Sequence, residues 1–460
     1  MFKLSGGLFL VAALIAALLL MVPPPEGVGA GVMRAAAVMV LAIGIWATNV
    51  VPSYYGALLF FLAAMVLGVA PANVVFSGFA SGAVWLVFGG IIIGQSVRQT
   101  GLDVRLVRTF LSHFPNALLP IIYGLFWISA SLGFVIPSAS GRIIMLVPVI
   151  LALARRLGFA KGSKGETGLI LAGAMGTMVP GFAILPANVP NMTLFGAMES
   201  VYGLQLAYGE YLLLNFPILA IGALILYPLT LWALFREPIG PNGSDADVMP
   251  WSAKDRRLMV ILGAALLLWI TDTVHGISPA WVALGAALIC TVPRFGLMPA
   301  KALAEDINYG PILYVAAIIG LGAVATHSGV GALIAETTMS VMRLSLGQDL
   351  MNFYAMTGIA ALVGIFTTMP AQPAILVPMA GAMAEASGWP LLSVAMTAVP
   401  TWSMMLFPYQ GPPIVLAVAL CNLRVGWVMK ALFVYFVIAA AVLLPLHFQW
   451  GRLLGYFGAT

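Results

Sequence analysis

The stretch "IPSASGRIIMLVP", residues 136–148, places Ser138, Ser140 and Arg142 beside a proline and a glycine, between long apolar runs. Two hydroxyls, a planar guanidinium and a glycine that lets backbone approach form a donor set suited to a carboxylate or sulfo-oxyanion. A helix starting near Ile143 aims its N-terminal amides at the same point, and a half-helix N-terminus attracts anions. Arg142 can equally cap backbone carbonyls or snorkel to the membrane surface. A second break, "TTMPAQP" at 367–373, carries Thr368 and Gln372. Two further interrupted runs supply the remaining polar surface. "GAMGTMVPGFAILPANVPNMT" (173–193) holds Asn188 and Asn191, and "TWSMMLFPYQGPP" (401–413) holds Tyr409 and Gln410. Interior prolines remove helix hydrogen bonds and free carbonyls, so both runs are expected to unwind.

The elements that must position these groups are membrane spans. The chain of 460 residues has a mean hydropathy of +1.07 and is 8% charged, against about 25% in soluble domains. The pattern predicts an all-α polytopic membrane protein with about 11 transmembrane helices and two re-entrant hairpins. Spans are expected at 8–23, 34–51, 56–70, 80–97, 167–198 (interrupted), 211–235, 258–271, 280–293, 310–326, 390–419 (interrupted) and 427–446. The hairpins fall at 118–154 and 353–385. Their second limbs, 143–154 and 374–384, cover about 17 Å, short of the roughly 30 Å hydrocarbon core.

Charge placement gives the orientation. With the N-terminus cytoplasmic and the C-terminus outside, sixteen basic residues face the cytoplasm and only Arg34, Arg343 and Arg452 lie outside. This predicts an integral protein of the inner membrane. Arg142 is the one basic residue at membrane depth, and all fifteen acids fall in loops or near span ends. Proton relays and cation sites usually need a central carboxylate, so an anion is the partner expected for Arg142. His327, at a span end, reads as an interface residue, and the Trp residues read as interface anchors and core. Cys290 and Cys421 read as small core residues. No nucleotide-binding loop, metal-ligand spacing or catalytic triad occurs, which argues against an enzyme, and the scattered basic residues argue against nucleic acid.

The chain reads as two related halves. "IIIGQSVRQTGL" (91–102) aligns with "IGLGAVATHSGV" (319–330), pairing Gly94 with Gly322 and Gly101 with Gly329, and "LVP" recurs at 146–148 and 376–378. The first copy enters its hairpin from the cytoplasm and the second from outside, giving two inverted-topology repeats. Residues 1–70 form N-terminal spans, expected to be scaffold and dimerisation surface on the resemblance given below, and 71–236 the first repeat. Residues 237–257 are a cytoplasmic linker and 258–460 the second repeat.

These features together resemble the divalent anion/sodium symporter family, over nearly the whole chain. "FASGAVWLVFGGIIIGQSVRQTGL" (79–102) is similar to the family's apolar Trp-Gly-Gly helix ending in Thr-Gly. The family's Ser-Asn-Thr tip signature falls on Ser138, Ala139 and Ser140 ahead of Pro148, and on Thr368, Met369 and Pro370 ahead of Pro378. The longer form Pro-Ser-Asn-Thr-Ala-Arg, from a branch of citrate and dicarboxylate exchangers, matches Pro137 to Arg142. The resemblance implies transport of di- or tricarboxylates by a homodimer with an elevator-type motion, as cation-coupled symport or anion exchange. It implies a substrate site from Ser138, Ser140, Arg142, Asn188, Asn191, Thr368, Gln372, Tyr409 and Gln410. It also implies a coupling Na+ near Ser138, Ser140 and Gly176, although Ala139 and Met369 replace both signature asparagines. Sulfate, sulfonate or another oxyanion carried without sodium is the alternative substrate reading, and a passive anion channel the alternative mode. No other cofactor is expected, and the partners are a small anion, membrane lipid and a second copy.

Overall fold

The computed structural model describes residues 2–458 except 26, 49, 103–104, 106–116, 135, 137–138, 241–251, 293–295, 300 and 342–343. Among the described residues every regular element is helical. The first part comprises α1 (Phe2–Met21), α2 (Ala30–Thr48), α3 (Ser53–Val66) and α4 (Gly82–Thr100). The first hairpin follows as α5 (Leu118–Ser131) and α6 (Ala139–Arg156). The broken span is α7 (Lys164–Met178) and α8 (Val189–Tyr202), and α9 (Tyr208–Leu234) completes the half.

The second half begins with α10 (Ala253–Ile270), α11 (Pro279–Thr291), α12 (Gly310–Ser328) and α13 (Val330–Val341). Its hairpin is α14 (Asp349–Phe366) and α15 (Gln372–Ser387). Its broken span is α16 (Leu391–Met396) and α17 (Pro412–Cys421), followed by α18 (Val425–Leu453). Each expected span therefore has its helix or helix pair.

The repeat shows in local details. α4 and α12 both end on glycines with left-handed backbone, Gly101 (φ 74°) and Gly329 (φ 85°). A side chain at either position would meet the penalty that makes glycine the usual residue there. These are two of the positions the aligned repeats pair. Each broken span unwinds into 3-10 turns, at Pro180–Ala183 and Leu185–Ala187 in one half and at Val399–Ser403 and Pro408–Gln410 in the other. Both α9 and α18 carry a π turn, Phe216–Ala220 and Ala439–Leu443. The two long helices pack together, with the Tyr227 and Tyr435 ring centroids 3.9 Å apart.

The halves interlock rather than sit side by side. α3 packs along α12, and α4 along α11. α17 packs on α6 and α7, while α8 packs on α15 and α12. Each hairpin's second arm thus meets the helix leaving the other half's break. Hydroxyl caps fix several starts: Ser81 accepts from the Ala83 N–H (3.1 Å), and Ser163 from Glu166 (3.3 Å). Ser252 and Asp255 form a reciprocal capping box on α10.

Four of the helices, α2, α9, α12 and α18, are long and apolar enough by length and composition to cross a membrane. Shorter apolar helices such as Ser53–Val66 and Pro279–Thr291 lie between them. The hairpin arms exceed the limbs expected from hydropathy. α6 starts at the tip itself and includes Arg155 and Arg156, where cations complement the carbonyl end of a helix. Its 18 residues span about 27 Å at 1.5 Å each. Cys290 is buried and Cys421 half-buried, and both are free thiols.

Candidate functional site

Each hairpin tip bonds to the break of its own half, and the two breaks touch each other. At the first tip Arg142 is fully buried. One terminal nitrogen donates to the Ile136 carbonyl in the hairpin turn and to Ala187 O at 3.2 Å. The other donates to Thr177 O near the end of α7 and to Asn188 Oδ1 at 3.3 Å. The guanidinium thus fills a cradle of three backbone carbonyls, freed where helices stop, and one side-chain amide oxygen. The fork expected to face an anion faces protein oxygens. Its fifth donor, Nε, is buried without a partner among the described residues. All four acceptors are uncharged, so the positive charge remains.

Asn188 turns its amide to Met178 O (2.7 Å), closing the break between α7 and α8. Asn191 donates to Gly181 O (2.9 Å) and Ile184 O (2.7 Å), which fixes its amide orientation and leaves Oδ1 buried and unpaired among the described residues. Both asparagines are fully buried and shape the unwound segment. Ser140 is half-buried and its hydroxyl has no partner among the described residues. Ser138 lies outside the described residues. Gly176 is where α7 touches α5: a Cβ there would stand 2.8 Å from Phe126 O. Its smallness serves close packing.

At the second tip Gln372 is buried and donates to Ala360 O in α14 at 3.1 Å. Its Oε1 accepts from the Trp402 indole N–H at 2.6 Å. Thr368 is buried 3.4 Å from the Tyr314 hydroxyl. Gln410 accepts from the Leu406 and Phe407 N–H groups, both at 2.8 Å, and donates to Gly364 O at 2.7 Å. Tyr409 is exposed, donates to Ile365 O and stacks on Phe407. Gln410 and Tyr409 therefore pin the second break to the end of α14. The breaks themselves meet through Phe182 and Trp402, with ring centroids 5.8 Å apart.

Trp402, Phe182 and Tyr314 are contacts that spacing does not single out. Trp402 lies in a stretch rich in polar signals, but tryptophan in membrane spans reads as anchor or core, and here it is a hydrogen-bond donor at the tip. Ser403, beside it, is buried with an unpartnered hydroxyl among the described residues. Among the described residues no group of three or more histidines, cysteines or acids could hold a metal.

The comparison with known proteins decides the family. The sodium:sulfate symporter transmembrane-region family matches residues 5–457. The chain belongs to that family. It is a membrane-embedded anion transporter, not an enzyme. A membrane protein of Cupriavidus necator is 26% identical over 86% of this chain and 81% of its own length. The Escherichia coli inner membrane protein YbhI is 21% identical over 85% and 84% respectively. An Escherichia coli L-tartrate/succinate antiporter is 24% identical over 42% of each chain. The Alcanivorax borkumensis YdaH transporter has the same fold, with a TM-score of 0.52 over 84% of this chain and 89% of that one, at 14% identity.

Proposed function

We propose that this transporter exchanges small divalent organic anions, di- or tricarboxylates, by alternating access, and that a bound sodium ion is not required at its first tip. The observation carrying this reading is Arg142 in its carbonyl cradle. The oxygens left free around such a break are the groups a coupling cation needs, and here a tethered cation fills the space among Ile136, Thr177, Ala187 and Asn188. A buried charge without a carboxylate partner favours an anion nearby. The substrate would meet Ser140, Thr368 and the N-terminal amides of α6 and α15, with Arg142 acting through its field and its spare Nε–H. Asn188, Asn191, Gln372, Tyr409 and Gln410 would hold those walls in place. Ser138, from its position in the tip, completes the set.

The relatives named for antiport of L-tartrate and succinate support a dicarboxylate. The family description keeps sulfate as the second substrate to compare. In motion, the tips with their broken spans would slide as a unit against a scaffold containing residues 1–70, with repeats at 71–236 and 258–460 and the linker 237–257 cytoplasmic. The N-terminus would be cytoplasmic, the C-terminus outside, and the assembly a homodimer.

The test is counterflow in proteoliposomes loaded with succinate, tartrate, citrate or sulfate, with and without sodium. The expected result is saturable exchange of a dicarboxylate at equal rates in sodium and in choline media. Uptake that vanishes without sodium overturns the exchange reading. Unsaturable conductance would replace the carrier with a channel.

A further inference from the structure

We infer that a lateral groove between α10 and α11 is a binding site for one anionic phospholipid. The inference is independent of the substrate site. The groove has a volume of about 580 Å³ and is lined by Arg256, Arg257, Val260, Ile261, Ile289, Val292 and Leu297. It is open on one side, where Val260 is 71% and Ile289 56% exposed. Its charge is one-sided: two adjacent arginines stand at the N-terminal end of α10, and the rest of the lining is apolar.

The nearby acid does not neutralise that pair. Asp255 is fully buried, receives the Ser252 N–H at 2.7 Å and hydroxyl at 2.6 Å, and is paired with Arg105 at 2.9 Å. Arg256 and Arg257 are exposed and have no side-chain partner among the described residues. Cations near the start of a helix also oppose its dipole, so an anion held between the two side chains relieves that conflict. Below the arginines the walls are the apolar faces of α10 and α11, with Met259, Leu267 and Leu288 exposed on the same two elements.

One headgroup phosphate above a long apolar chain matches this profile; a soluble anion would leave the apolar groove empty. A second copy related by two-fold symmetry through this patch would set arginines against arginines, which like-charge repulsion disfavours. Basic pockets beside membrane helices are a recurrent headgroup site.

The test uses the full chain purified in detergent and titrated with phosphatidylglycerol, phosphatidylcholine or glycerol 3-phosphate, read by native mass spectrometry and by melting temperature. One retained phosphatidylglycerol per protomer and a raised melting temperature are expected, with neither effect from phosphatidylcholine or glycerol 3-phosphate. The double variant Arg256→Gln/Arg257→Gln should weaken phosphatidylglycerol binding about thirtyfold, each arginine contributing its interfacial share. Val260→Trp, with both arginines intact, should also displace the lipid by filling the groove. Equal retention of phosphatidylcholine, or unchanged affinity in the double variant, overturns the site. A Val260→Trp variant that loses its dimer while keeping the lipid assigns the groove to a second copy instead.

Discussion

Arg142 and Gln372 stand at equivalent places in the two tips, each six residues ahead of a proline, Pro148 or Pro378. Both are fully buried, and both donate to backbone carbonyls. Arg142 gathers oxygens from the hairpin turn and from both sides of the following break, whereas Gln372 joins one arm to the Trp402 indole. The fold therefore uses one device twice, a side chain at the tip that clasps the adjacent break. Only the first copy carries a charge. On the proposed reading, that asymmetry would put the attraction for an anion at the first tip and leave the second as a neutral wall.

Replacing Arg142 separates the clasp from the charge. In Arg142→Met three buried carbonyls lose their donors, and each orphaned group costs about 1–3 kcal/mol, so a loss of about 3 kcal/mol or more is expected. Arg142→Lys keeps the charge but not the planar fork. It should lower the melting temperature while keeping measurable counterflow, whereas Arg142→Met should abolish transport. Melting and counterflow on the same preparations check this. An Arg142→Lys protein as stable as wild type would refute the clasp.

The Gln372–Trp402 bond predicts a coupled pair. Trp402→Phe leaves Gln372 Oε1 without its donor, and a buried unsatisfied acceptor costs about 1–3 kcal/mol. Gln372→Met removes the acceptor and a donor to Ala360 O. If the 2.6 Å bond matters as drawn, the double variant costs less than the two single variants added together. Stability measured across this four-member cycle decides it, and additive costs would deny the contact.

Much of this arrangement is legible in the order of residues alone. Glycine and proline, which break helices for steric reasons, mark both tips and both interrupted spans, and the lone deep arginine stands out by contrast with its surroundings. The recurrence of Gly101 and Gly329 as helix ends follows from the same logic. Arg142's partners are not legible. Thr177, Ala187 and Ile136 contribute carbonyls, which every residue has, so no residue type announces them. The hairpin arms run longer than hydropathy suggests for a related reason. Hydropathy ends at Ala154, but a helix continues wherever its backbone bonds and its dipole favour it, here through Arg155 and Arg156. Gly176 reads as a potential ligand because it lies beside the break, yet its role is set by Phe126 in the preceding hairpin arm.

Ser140 offers a test of the binding surface apart from the clasp. Its hydroxyl is half-buried at the first tip and bonds to none of the described residues. Ser140→Ala should leave the melting temperature within a degree or so, since no internal bond is lost. If the hydroxyl meets the substrate, apparent affinity falls by a few-fold to about tenfold, the worth of one hydrogen bond. The ratio of KM values for succinate between variant and wild type reports it. An unchanged ratio would remove Ser140 from the site.

Tyr202 carries the last prediction, because its hydroxyl joins the two halves through two backbone groups of α15. In α15 the Gly381 N–H would ordinarily reach back four residues to Val377 O. The N–H also lies within bonding distance of the Tyr202 hydroxyl, to which it donates at 3.0 Å, and that hydroxyl donates to Val377 O at 2.9 Å. A side chain from the end of α8 thus bonds two backbone groups of the second hairpin's inner arm, beside Pro378, which has no N–H of its own. Tyr202→Phe withdraws both bonds at once. With about 0.5–1.5 kcal/mol for each net bond, a loss of about 1–3 kcal/mol is expected. Amide exchange at Gly381 should accelerate in the same variant, since its protection depends on that hydroxyl. If exchange at Gly381 is unchanged while stability falls, the tyrosine acts by packing alone and its hydroxyl bonds are not what joins the halves.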